Sequence, residues 1–85
     1  MYKVTREVRG IPRWLLEEYL EEVDGEKQED GSFVGYDWTA TIHEMDDYEV
    51  GSLSVARIHL ELEGKEEQVK KVELELKDRF LRAGA

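Results

Sequence analysis

His43 and His59 are the only histidines of this chain, and both lie near carboxylates: Glu44, Asp46 and Asp47 follow the first, Glu61 the second. Two imidazoles and a carboxylate could hold zinc with an open coordination position, the arrangement of a metal-dependent enzyme. Their spacing matches no H-E-x-x-H pattern. The alternative is two surface histidines on the wet face of a sheet. A second cluster is basic. Within the first 14 residues Lys3, Arg6, Arg9 and Arg13 meet only one acid, Glu7, for a net +3 against −12 in the remainder. Arg9, Gly10 and Arg13 bracket the start of an expected helix, where backbone N–H groups and guanidinium forks can hold phosphate or carboxylate. A cation at a helix start opposes the dipole, and no phosphate loop or dinucleotide motif accompanies it. The alternative is that these arginines pair with the abundant acids.

Other chemistry finds less support. The chain has no cysteine, which removes thiolate catalysis, thiolate metal sites and disulfides. Ser32, Ser52 and Ser54 sit at turns or strand edges without a nucleophile elbow. Paired acids such as Asp46-Asp47 are too common in so acidic a chain to indicate acid–base work. The sequence calls for no cofactor.

The elements that must position these residues follow from hydrophobic period. Residues 2–9 alternate as a strand, with Arg6 in the apolar register, where a guanidinium needs a carboxylate, a polar cavity or a route past the sheet edge. Gly10-Ile11-Pro12 turns the chain, and Pro12 suits the first helical position. A helix over about 12–23 buries Leu15, Leu16, Tyr19, Leu20 and Val23 and ends at Asp24-Gly25, with Gly25 as the left-handed cap. Residues 26–30 are a loop or a short charged edge strand. Asp30-Gly31 signals a hairpin into a strand over 33–43, with Val34, Tyr36, Trp38, Ala40 and Ile42 inward. Tyr36 and Trp38 then serve as core or as pocket lining. Residues 46–50 can form a short strand, and a longer one covers 53–63 with Ala56, Ile58, Leu60 and Leu62 inward. A helix over about 65–82 buries Val69, Val72, Leu76 and Phe80, with Leu81 alongside. Its charges fall into i,i+4 pairs with the acid first, as in Glu66–Lys70, Glu73–Lys77, Glu75–Arg79 and Asp78–Arg82.

This order predicts one domain over residues 1–85: a two-layer α+β sandwich, an antiparallel sheet of about five strands with two helices on one face (β-α-β-β-β-β-α). One sheet face is left uncovered. Phe33, Thr39, Thr41, Leu53 and Val55 are expected there, a partly apolar surface suited to a homodimer or another protein partner.

Net charge is −9, from 21 acidic and 12 basic residues. Such a field repels nucleic acid and anionic membrane. No apolar run approaches the roughly 20 residues that span a bilayer. The start, Met1-Tyr2-Lys3-Val4, is unlike a signal peptide, so a cytoplasmic location is expected. Abundant Glu and Lys, no Asn and only Gln28 and Gln68 make a composition found in thermophile proteins.

With a strand to Arg9, a helix from Pro12, strands through Glu63 and a helix from Lys65, the order resembles the TBP-like β-α-β4-α arrangement. Over nearly its whole length the chain is similar to the small C-terminal domain of MoaD-related proteins of thermophilic bacteria. That resemblance implies an accessory domain of unknown activity and carries over no site residues. MoaD itself is the sulfur-carrier small subunit of molybdopterin synthase, ubiquitin-like and ending in Gly-Gly. This sequence ends Arg82-Ala83-Gly84-Ala85, and is expected not to be the carrier. The leading expectation is a non-enzymatic accessory or protein-interaction domain, with an association to molybdopterin synthesis through the resemblance. The alternatives are a binder of small molecules or anions, using the sheet–helix interior or the Arg9–Gly10–Arg13 corner, and a metal-dependent enzyme.

Overall fold

The computed structural model describes residues 1–83; Gly84 and Ala85, which bear on the Gly-Gly comparison, lie outside the described residues. The elements are β1 (Tyr2–Arg9), α1 (Arg13–Glu22), β2 (Glu26–Lys27), β3 (Phe33–Gly35), β4 (Trp38–Glu44), β5 (Tyr48–Val50), β6 (Leu53–Val55), β7 (Arg57–Gly64) and α2 (Glu66–Arg82). Five strands form one antiparallel sheet in the order β1-β7-β4-β3-β2, and β5 and β6 pair separately. Both helices share one core with the inner sheet face, so the α+β class holds. β1 and β2 are the sheet edges.

The two long strands fix the core. β7 sits between β1 and β4, with Ile58, Leu60 and Leu62 opposite Val8, Arg6 and Val4 on one side and Glu44, Ile42 and Ala40 on the other. Val69, Val72 and Leu76 of α2 and Leu16 and Leu20 of α1 close over them, all buried. Burial of such side chains is worth about 1.5–3 kcal/mol each. Leu81 stands outside this stripe, exposed, contrary to the helical pattern.

Several local expectations are corrected. The helix α1 begins one residue later, with Pro12 as its N-cap. At its end the left-handed residue is Asp24 (φ 70°). The N–H of Gly25 donates to the Leu20 carbonyl at 2.8 Å and that of Asp24 to Glu21 at 3.0 Å, a Schellman closure. Gly25 is required for space: a Cβ there would lie 2.7 Å from the Leu20 oxygen and 2.8 Å from the Trp38 ring. On α2, Glu66–Lys70 and Asp78–Arg82 form as paired, but Arg79 reaches Glu22 of α1 at 2.7 Å and ties the helices together.

The largest correction concerns residues 33–43. They are not one strand but a hairpin, β3–β4, joined by Tyr36 and Asp37, with Asp37 at φ 59°. Gly35 stands opposite Trp38, so the inward parity changes across the turn. Phe33, opposite Ala40, is therefore buried in the core and leaves the proposed contact face; Val34 and Tyr36 point out. Gly35 makes room for the Trp38 indole, which a Cβ there would strike.

The strand expected over 53–63 is also divided. β1 ends where Gly10 (φ 81°) turns away, and β4 ends at Glu44, so β7 has neighbours only from Arg57 onward. Upstream residues pair with each other as the β5–β6 hairpin. Leu53 and Val55 thus lie off the uncovered sheet face, on a separate two-stranded ribbon, where Leu53 is 69% exposed.

Candidate functional site

The uncovered face is polar. Lys3, Thr5, Glu7 and Arg9 of β1 stand opposite Glu63, Glu61, His59 and Arg57 of β7, and β4 adds Thr39, Thr41 and His43. Of the residues expected to make an apolar contact surface, Thr39 and Thr41 alone lie here, both half-buried between charged neighbours. Period two places the polar set on this face, where Val34 of β3 is the lone apolar side chain among the described residues.

His43 and His59 are direct cross-strand partners on it, with ring centroids 6.0 Å apart. Among the described residues no group of three or more metal-ligating side chains converges on them. Glu61 is instead held by Lys3 at 3.0 Å. That hydrogen bond draws the Glu61 carboxyl below the usual carboxylate range, helped by the lysine charge and the two imidazoles. The same bond raises Lys3.

The cations of the expected basic corner engage separate acids. Arg9 Nε meets Glu7 at 2.9 Å, while its guanidinium lies 4.1 Å over the Tyr48 ring and so anchors the β5–β6 ribbon. Arg13 Nε meets Glu17 at 3.0 Å and its Nη1 meets Glu44 at 3.5 Å. Gly31 leaves room for the other nitrogen: a Cβ there would stand 3.1 Å from it. Burial pushes the Glu17 carboxyl up, but hydrogen bonds from Arg13 and Lys27 outweigh this and hold it below its ordinary value. The Gly10 N–H donates to the Ala56 carbonyl at 2.8 Å.

Arg6 is accommodated at the sheet edge, where its guanidinium leaves the layer and meets Glu73 of α2 at 2.6 Å. Beneath it runs a groove of about 370 Å³ between β1 and α2, lined by Val8, Leu60, Leu76 and Phe80 and rimmed by Arg6 and Lys77. Sequence patterning did not find this groove. Its one signal was Arg6 itself, since a guanidinium in an apolar register points to a strand with an open side.

The backbone at that side is available. Gly10 bonds to Ala56 within the register that pairs Arg9 with Arg57. Bonded and non-bonded pairs alternate along an antiparallel ladder. Tyr2, Val4, Arg6 and Val8 therefore direct their backbone groups at β7, and Lys3, Thr5, Glu7 and Arg9 direct theirs outward. The far side of β7 agrees, because the Met45 N–H bonds the Arg57 carbonyl on the β4 side at 3.0 Å. Among the described residues no strand covers the outer edge of β1.

None of the curated proteins compared with this chain matches it. A family model described as archaeal MoaD-like protein matches residues 4–85, from β1 through α2 and onto the terminal residues. With a match over nearly its full length, the chain belongs to the archaeal MoaD-like protein family.

Proposed function

We propose that this domain is a non-enzymatic accessory module that binds a protein partner in molybdopterin cofactor synthesis. The open edge of β1 carries the reading. An eight-residue edge strand with outward backbone groups and an apolar groove beside it can accept an added strand, its side chains seated in the groove. The family, described as archaeal MoaD-like protein, supports the pathway through the resemblance to MoaD, the small subunit of molybdopterin synthase. The ion pairs of Arg6, Arg9 and Arg13 favour a structural role for the basic end over an anion site. No helix among the described residues is long and apolar enough to cross a membrane, which accords with action in the cytoplasm.

Titration calorimetry of the domain against the purified subunits of molybdopterin synthase tests this. A saturable complex is expected with at least one subunit. Absence of binding to every subunit overturns the proposal. One observation favours a second reading, a small-molecule binder: the groove volume falls within the range of ligand pockets. A thermal-shift series with pterins, nucleotides and phosphate separates the two, since only a ligand binder is stabilised by one of them.

A further inference from the structure

We infer that a second copy of this chain occupies the β1 edge, its own β1 running antiparallel across a twofold axis at Thr5. This deepens the interaction reading above and rests on it: the edge that takes a partner's strand takes a second copy in the free protein. Residues opposite each other in an antiparallel pair share a face, so a twofold contact must be centred on one residue. The candidate centres differ sharply in charge. Centring on Arg6 sets guanidinium against guanidinium and Lys3 against the partner's Arg9. Centring on Glu7 sets two carboxylates together. Centring on Thr5 places Lys3 opposite the partner's Glu7, Thr5 opposite the partner's Thr5, and Glu7 opposite the partner's Lys3.

The backbone accepts this centre. Lys3, Thr5, Glu7 and Arg9 turn their N–H and C=O groups outward, and the Thr5 register joins Lys3, Thr5 and Glu7 in three bonded pairs with about six hydrogen bonds across the axis. On the inner face Tyr2 comes opposite the partner's Val8, at the mouth of the groove lined by Val8, Leu60 and Phe80. Each copy thus completes its neighbour's groove with a tyrosine ring. An inward charge on an edge strand is a device against pairing. Here Arg6, already held by Glu73, comes opposite the partner's Val4, and it forbids only the register centred on itself. On the outer face this contact uses only the β1 side chains Lys3, Thr5 and Glu7.

Sedimentation equilibrium on the whole chain, over a wide concentration range, reads the result. The parent chain is expected to dimerise. Thr5→Pro should be monomeric with an unchanged far-ultraviolet spectrum, because the N–H it deletes faces outward and proline is tolerated at such edge positions. Lys3→Glu and Glu7→Lys should each weaken the dimer about tenfold or more, by turning cross-strand attraction into repulsion. The double variant Lys3→Glu/Glu7→Lys should recover the parent constant to within about threefold, since the pairing is restored with signs exchanged. If Thr5→Pro fails to fold, the charge exchange alone decides. A dimer untouched by Thr5→Pro, or a double variant no tighter than either single one, overturns the inference. So does a parent chain that stays monomeric. If that monomer still binds a synthase subunit, the interaction reading survives alone; if it binds none, both fall.

Discussion

The two faces of the five-stranded sheet are made from alternate residues of the same strands, yet they are held in different ways. The inner face is apolar from β1 to β4 beneath two helices, with two charges at its margins, Arg6 held by Glu73 and Glu44 by Arg13. The outer face is a lattice of lysine, arginine, glutamate, threonine and histidine. Inner contacts depend on volume and shape, so each has few acceptable substitutes. Outer contacts are charge pairs in water, weak singly and exchangeable. The open side of β1 is where the two regimes meet, and it offers both an apolar groove and a row of alternating charge.

Phe33 and Val34 give the sharpest way to break this comparison. They are neighbours in sequence on opposite faces. Phe33→Ala should cost about 3–5 kcal/mol, since it empties a fully buried site. Val34→Ala should change stability by no more than about 0.5 kcal/mol. Urea denaturation of both variants decides it. Equal losses would mean that the turn at Tyr36-Asp37 does not reverse the facing of the strand. Gly35→Ala comes next, at about 1–3 kcal/mol, because its methyl group must displace the Trp38 indole. A blue or red shift of the tryptophan emission should accompany that loss. Arg13→Ala should be milder, about 1 kcal/mol, as it leaves Glu17 to Lys27 and frees the loop around Gly31 from α1.

How much of this was legible in the sequence depended on whether a segment's own pattern decided its pairing. β7 and both helices followed their periodicity, because Leu60, Leu62, Val69, Val72 and Leu76 have no other way to be buried. The β3–β4 hairpin was hidden because Val34 to Ile42 alternates without a break. Only the positive φ of Asp37, a residue that tolerates the left-handed region, ends one strand and starts the next. The split at Ala56 was equally hidden. It follows from where β1 and β4 stop, a fact about neighbours rather than about residues 53–63. The site shows the same division. Arg9 and Arg13 stand close in sequence, but the acids that engage them, Glu7, Glu17 and Glu44, come from three elements. The open edge needed the ladder register, which no single segment encodes.

The smallest expected effect tests the outer face alone. The Glu61 carboxyl is drawn down in the folded chain by its hydrogen bond from Lys3. In the unfolded chain it returns to an ordinary value of about 4.3. Between those values the unfolded state binds more protons. The contribution is therefore complete above the unfolded value and disappears as pH falls through the folded one. Lys3→Met should lower the melting temperature slightly at neutral pH, as befits an exposed pair, and leave it nearly unchanged in acid below the folded-state titration, so that the acid limb becomes shallower. Lys3 also lies in the inferred dimer contact, so the comparison belongs in a Thr5→Pro background, where the edge contact is absent. An acid limb that Lys3→Met leaves as steep as before would mean that the lattice of charge on this face adds nothing to folding. The outer face would then exist for what it meets, with all of the fold's specification on the inner one.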